Sequence, residues 1–414
     1  MVIRFALRLG LAGLMVSAAC GSSAKQTKQI KQTNQAKQGP PAKQTKQVRQ
    51  STSDNRDVRV LLSEARAYAN RGEIDAADKA YRAAYDAGKE TDVLQERVDF
   101  LIHVGRSQDA VAAAKVYYDA NVSDMKGYAL YADALLAANR GLEALEVAEQ
   151  MIQLNATDPE GHEKKGRAQM LIDRQDDGIA ELRKAVQYNS NNPTYRTALA
   201  SALIKAQKFD DATLELRAAL RLANDDVDAH VLLGQVLRTQ NEFDEAKKLL
   251  DRAISLDPRN ARAYFELGLL YNAQKKQSEA EVALTKAVQL SPNDSLFWYA
   301  YGEIFRVSQR FDEAIVGYKR ALELDPPYLK AMTKLGTLLV ERKQYDEAEV
   351  ILTQAVRREP KNPVNYLSLG AVYAAKHRAR QAIESYEKFL DLAPRADPER
   401  LTAKNAIADL KKKN

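Results

Sequence analysis

The stretch ARAYFELGLLYNAQKKQSEAEVALTKAVQLSPND occupies residues 261–294. Tyr264, Leu267, Gly268 and Tyr271 recur at i, i+3, i+4 and i+7, which places them on one face of a helix. Ala280, Leu284 and Ala287 do the same for a second helix starting near Ser278, and the polar run NAQKKQS between the two reads as a short turn. Gly268 and Ala280 are small, so the two helix backbones can approach closely there. Pro292 follows the second helix, where a proline cannot continue it.

The same layout recurs along the chain. Gly234, Gly268, Gly302, Gly336 and Gly370 are 34 residues apart. In the same register stand Ala246, Ala280, Ala314, Ala348 and Ala382, then Pro258, Pro292, Pro326, Pro360 and Pro394. Extended backwards, the register gives ten units, beginning at 58, 91, 125, 159, 193, 227, 261, 295, 329 and 363. Units two to four depart from the pattern. Val98 takes the small-residue position and Gly178 the alanine position, and no proline stands at 124, 156, 190 or 224. The same fold is expected there, with irregular packing. One such hairpin buries too little apolar surface to offset the entropy of ordering its own residues, so units must stack on one another.

These residues resemble the tetratricopeptide repeat, whose slots are filled in the eighth unit by Trp298, Tyr301, Gly302, Phe305, Phe311, Ala314, Tyr318, Ala321 and Pro326. The resemblance covers 58–396 and implies an all-α fold, a right-handed superhelical α-solenoid of about ten 34-residue helix-turn-helix units. Residues 397–414, which begin DPERLTAKNAIADLKK, have the pattern of a cap helix with a basic tail. In tetratricopeptide proteins the first helix of each unit lines an inner wall that binds other proteins, mainly through unit positions 2, 5, 9 and 12. Here these are Asp228, Val231, Gln235 and Arg238 in unit six, and Arg262, Phe265, Leu269 and Asn272 in unit seven. Unit eight supplies Leu296, Tyr299, Glu303 and Arg306, and unit nine Lys330, Thr333 and Thr337. Phe265 and Tyr299 are large rings at positions the core does not require, so they are expected to be exposed binding residues.

The N-terminus has a different character. Arg4 and Arg8, the apolar run Leu9–Val16 and the small residues Ser17-Ala18-Ala19 have the layout of a signal peptide over 1–19, and the run is too short to span a membrane. Cys20 is the chain's only cysteine. The stretch VSAAC-GSS resembles the lipobox of bacterial lipoproteins, which implies lipidation at Cys20 and retention at the outer membrane, facing the periplasm. Ser17 stands where that family usually has Leu. Cleavage after Ala19 to give a soluble secreted protein is the alternative, and a cytosolic adaptor is another. Residues 21–56 hold eight basic residues and one acidic residue, with Gln after seven of the basic ones. With so few large apolar side chains, the Lys/Gln-rich linker 20–57 is expected to be a disordered tether. Setting aside the two basic residues of 1–20 and those of 21–56, the totals of 62 basic and 56 acidic fall to 52 and 55. The folded part is therefore slightly acidic, and the charge of +6 belongs to the N-terminal region.

The sequence offers no catalytic constellation, so an enzyme, a cofactor or a small-molecule substrate is not expected. HEKKG at 162–166 lacks the second histidine of a zinc helix. His162 and His230 fall where other units carry an aromatic ring, which makes them core rings rather than ligands. A secreted chain meets little nucleic acid. The expectation is a non-enzymatic scaffold, anchored through lipid on Cys20, that recruits or assembles envelope proteins. Pilus secretins, barrel assembly and polysaccharide export are the kinds of machine such lipoproteins serve.

Overall fold

The structure, a computed structural model, describes residues 58–412. The leader, Cys20 and the linker to residue 57 lie outside the described residues. Among the described residues there are twenty-one helices and no strand. Unit one pairs α1 (58–70) with α2 (Ile74–Gly88). Unit two pairs α3 (Thr91–His103) with α4 (Ser107–Ala120), and unit three α5 (Met125–Ala137) with α6 (Gly141–Leu154). Then come α7 (Pro159–Leu171) with α8 (Gln175–Tyr188), α9 (Pro193–Lys205) with α10 (Phe209–Leu222), and α11 (Val227–Thr239) with α12 (Phe243–Leu256). Unit seven is α13 (Ala261–Ala273) with α14 (Gln277–Leu290), and unit eight α15 (Ser295–Val307) with α16 (Phe311–Leu324). The last two are α17 (Leu329–Glu341) with α18 (Tyr345–Arg358) and α19 (Pro363–Ala375) with α20 (Ala379–Leu392). Finally α21 (Glu399–Lys412) buries Ala403 and Ile407 against α20.

Short signals set the helix boundaries, and they keep the 34-residue register. Asp124, Asp158, Asn192, Asp226, Asn260, Asp294 and Asn362 each cap the first helix of a unit, the side-chain oxygen accepting a backbone N–H of the first turn. Tyr328 takes that place before α17 and makes no such bond. Between the two helices of each unit, one residue adopts the left-handed conformation. It is Gly72 and Gly105 in units one and two, then Asn139, Asp173, Gln207, Asn241, Lys275, Gln309, Lys343 and His377. The next residue donates its N–H back to a carbonyl in the last turn, as from Lys276 to Tyr271 at 2.9 Å and from Arg310 to Phe305 at 2.8 Å.

Small residues let the paired helices meet. A Cβ added to Gly317 would lie 2.7 Å from the Gly302 nitrogen and 2.9 Å from the Trp298 carbonyl, so unit eight requires glycine there. In unit four the expected irregularity is absent, and α7 and α8 pack closely. In unit four two glycines face each other, and a Cβ on Gly166 would stand 2.8 Å from the Gly178 carbonyl oxygen. The departures from the repeat pattern there are exchanges that preserve close approach.

His162 and His230 are buried. Their rings do what larger rings do elsewhere: the side chain at unit position 4 donates to a carbonyl six residues earlier. His162 Nε2 reaches the Ala156 carbonyl and His230 Nε2 the Asn224 carbonyl, both at 3.1 Å. Tyr128, Trp298 and Tyr366 make the same bond to Val122, Pro292 and Pro360. First helices of successive units also touch, α5 with α7, α7 with α9, α9 with α11 and α11 with α13, so together they form one continuous wall.

Candidate functional site

The wall has one recess rich in convergent polar groups, across units four to six. Its inner face in α9 carries Thr194, Thr197, Ala198 and Ser201, all short side chains. They leave a cavity of about 640 Å³. Glu163, Arg167 and Met170 of α7 form one side, and Asp228 and Leu232 of α11 with Arg262 of α13 the other. Thr197 Oγ1 donates to Asp226 Oδ2 at 3.1 Å, which ties the floor to the cap of α11.

The α7 side is an ion network. Lys164 Nζ lies 2.8 Å from Asp133 and 3.0 Å from Glu163, and Arg167 Nη1 lies 3.1 Å from Glu163 and 3.5 Å from Asp133. Glu163 is only 2 % exposed. Burial pushes its carboxyl up, but Lys164 and Arg167 together outweigh that and hold it below the usual carboxylate range. Asp228 sits at the rim without a salt bridge among the described residues, and burial beside Asp226 pushes its carboxyl up.

Of the fifteen inner-wall residues named from sequence, Asp228 and Arg262 line this cavity. Arg262 Nη2 also reaches Gln235 Oε1 at 3.3 Å. Phe265 was expected to be an exposed binding ring, and the structure corrects that: it is 7 % exposed and stacks on Phe297 with ring centroids 4.5 Å apart. Val231, its counterpart in unit six, is buried too. Position 5 faces the next first helix rather than solvent, so a large ring there fills the seam between units. Tyr299 is half-buried, packed between Tyr318 and Tyr328 at 6.0 and 5.1 Å. Leu269 is half-buried against the same apolar cluster as Phe265. Asn272 accepts a weak bond from Gln277 Nε2 at 3.4 Å.

Several charged residues of the wall are engaged internally. Arg238 holds Glu266 at 3.1 Å. Glu303 accepts from Tyr318 Oη and pairs with Arg306 at 3.3 Å. Thr333 donates to Asn365 at 2.8 Å, and Thr337 lies 3.3 Å from Ser368. Lys330 is exposed at the start of α17, as is Leu296 in α15. The cavity itself went unpredicted. Its signal is the run Thr-Ala-Leu-Ala-Ser (197–201), the one first helix with small residues at both inner positions of units five to eight.

A second depression of about 930 Å³ lies between α13, α14 and α15, with Tyr264, Tyr271, Tyr301 and Phe305 on its walls beside Glu281, Lys286 and Arg310. Among the described residues no helix is long and apolar enough to cross a membrane, and no cluster of His, Cys, Asp and Glu has a metal-binding arrangement.

Two family models match the sequence. One, described as the cytochrome c-type biogenesis protein H TPR domain, matches residues 278–400, and one for the tetratricopeptide repeat matches 197–246 and 231–295. No curated protein matches. Among solved structures, the APC/C hetero-tetramer Cut9–Hcn1 is similar over 85 % of this chain and 76 % of that one, at 14 % identity and a TM-score of 0.54. The human IFIT1 dimer with m7Gppp-AAAA is similar over 82 % and 90 %, at 17 % identity and a TM-score of 0.52. The pilF protein of Pseudomonas aeruginosa is similar over 54 % and 97 %, at 20 % identity and a TM-score of 0.46. At such identities the likeness is one of fold. Both family models, which lie within residues 197–400, agree with the repeat register and helix pairing that this part of the chain is built of tetratricopeptide repeats.

Proposed function

We propose that the recess across units four to six holds an extended segment of a partner protein, and that the chain works as a scaffold in the cell envelope. The observation that supports this most is the recess itself: a polar floor of short side chains between walls with directed charges. Concave sites with a few convergent polar groups are where ligands bind. In the depression beside α14 the charged groups Glu281 and Arg310 are paired with each other at 2.7 Å, which makes it the weaker choice. The expected enzyme-free role rests on the same reading, since repeat scaffolds of this kind bind proteins through their inner wall.

The place of work rests on residues 1–20. A leader over 1–19 and a lipid on Cys20 would hold the protein at the outer membrane, with 21–56 as the tether. The candidate machines read from sequence are pilus secretin, barrel assembly and polysaccharide export. Cytochrome c-type biogenesis joins them because of the family model over 278–400.

Two experiments test these parts separately. A photo-crosslinking amino acid at Ser201 should yield adducts in intact cells that map to one linear segment of a partner, and the same group at the outward-facing Leu214, 67 % exposed, should not. Equal adducts from both positions would sink the recess as the binding site. For the anchor, wild type should fractionate with membranes and Cys20→Ser should be released without loss of protein. Identical fractionation of the two would remove the lipid from the account.

A further inference from the structure

We infer that the solenoid closes on itself between unit two and unit seven through a clasp that parts and rejoins, and that its parting opens the inner channel sideways. A cavity of about 470 Å³ lies where His103, Val104 and Gly105, in the turn of unit two, face Ser291, Asn293 and Asp294, in the loop from unit seven to unit eight. Units three to six separate the two sides along the chain. Stacked repeats ordinarily touch only their neighbours, so a wall that meets itself again has gone once around its superhelix.

Packing within the wall accounts for the bend. Each first helix from α3 to α13 touches the next, while successive second helices do not come as close. A wedge repeated in one sense curves the wall toward its first-helix side. The wedge relaxes beyond α13, where Phe265 stacks on Phe297 and α13 and α15 stand farther apart. The two sides of the clasp therefore meet where the tightly bent stretch ends.

Nothing bonds the two sides together. Among the described residues no hydrogen bond or ion pair crosses the gap. The polar groups at its edges are used at home: Asp294 Oδ1 accepts from the Leu296 and Phe297 N–H groups at 2.9 and 3.2 Å, and the Gly105 N–H donates to the Ile102 carbonyl at 3.1 Å. A Cβ added to Gly105 would meet nothing within 4 Å, so the turn is not packed against the facing loop. His103 and Asn293 are both exposed. A contact that is neither large nor hydrophobic leaves its two sides free to move. A small rotation shared among the intervening unit interfaces is enough to part them. With the clasp shut, a chain reaches the inner wall only from the ends of the channel; with it open, a chain without a free end enters from the side.

Double electron–electron resonance on the full chain tests this. Spin labels are attached at His103→Cys and Asn293→Cys, with Cys20→Ser removing the one native cysteine. Two separated distance populations are expected, the shorter one with the turn and the loop face to face. Ser291→Trp, which puts a large ring into the gap, should move the ratio of long to short distances at least about threefold toward the long one. A label pair within unit two, His103→Cys with the outward-facing Val116→Cys, should keep one narrow population in both backgrounds, because the unit moves as a body. A single short population that Ser291→Trp leaves unchanged would overturn the clasp in favour of a rigid ring. Long distances alone would overturn the closure itself. Two populations shared by the pair within unit two would trace the motion to that unit and overturn the clasp as well. These readouts involve no bound segment, so they stand or fall apart from the binding role of the recess.

Discussion

Helices α9 and α13 occupy the same place in the repeat, two units apart, and use it in opposite ways. At unit position 5, α9 has Thr197 and α13 has Phe265; at position 9 they have Ser201 and Leu269. In α9 the short side chains leave a cavity that other residues line. In α13 the ring fills the corresponding seam, stacked on Phe297, and Leu269 packs beside it. A hairpin register therefore says which positions face the neighbouring unit, but the volume of the side chain says whether that seam is packed or open. In α13 the large ring goes with a closed seam, and in α9 the small polar residues go with an opening.

The most forceful way to break this contrast is to exchange the roles. Phe265→Ala should cost about 3–5 kcal/mol, as deletion of a buried aromatic ring does, while Ser201→Ala should change stability by about 0.5 kcal/mol or less. Hydrogen exchange resolved by helix is the suitable measurement, because a solenoid unfolds by units. Protection should fall in α13–α15 and stay unchanged in α9. If both substitutions proved equally mild, Phe265 would not be part of the core.

Two buried glutamates sharpen the contrast by charge. Glu163 borders the open recess and Glu266 the filled wall, and both are about as buried. The Glu163 carboxyl is held low because Lys164 and Arg167 outweigh its burial. Its stabilising share is thus present above its unfolded value of 4.5 and lost as pH falls through the depressed one. Burial dominates at Glu266, with Arg238 and Arg262 offsetting only part of it, so that carboxyl is raised. Its share is present below 4.5 and lost as pH rises through the raised value. Glu163→Gln should therefore cost about 2 kcal/mol at neutral pH and less at pH 4, in urea midpoints. Glu266→Gln should do the reverse, gaining relative to wild type as pH rises from 4 to 7. Parallel pH profiles for the two variants would show that their surroundings do not differ as described.

The smallest effect tests how uniform the register is. Gly105 and Gln309 hold the same left-handed turn at φ 79° and 61°. Gly105→Ala should cost about 1 kcal/mol, and Gln309→Gly should gain about 0.5 kcal/mol or less, since glycine removes the Cβ strain but adds unfolded-state entropy. Thermal midpoints of the two variants should move in opposite directions. A loss in both would mean that the Gln309 side chain stabilises the turn.

Much of the fold was legible in the sequence because helix pairing is local. Position 8 needs a small residue wherever a partner helix lies a few ångströms away, and Gly302 and Gly336 report that without knowledge of any neighbour. The capping series from Asp124 to Asn362 was equally local and equally readable, since a cap involves only the next three residues. Unit four looked irregular because single substitutions were compared with a pattern. In space, Gly166 and Gly178 compensate each other across the hairpin. The site was the least legible part. Asp228 and Arg262 were placed on the inner wall from their register alone, whereas Phe265 was expected to be exposed and is buried, because position 5 there meets the next unit's first helix.

The sequence by itself determined the period, the helix–turn–helix unit and the separation of a basic N-terminal region from a slightly acidic repeat domain. All three follow from side chains within one unit or from plain counting. The tertiary structure alone decided which stretch of wall is open and where charge is left unpaired. Those properties depend on pairs such as Thr197 with Asp226 and Lys164 with Asp133, about thirty residues apart, where two units meet. Volume left over between stacked helices is a property of neighbours, and no single unit contains it.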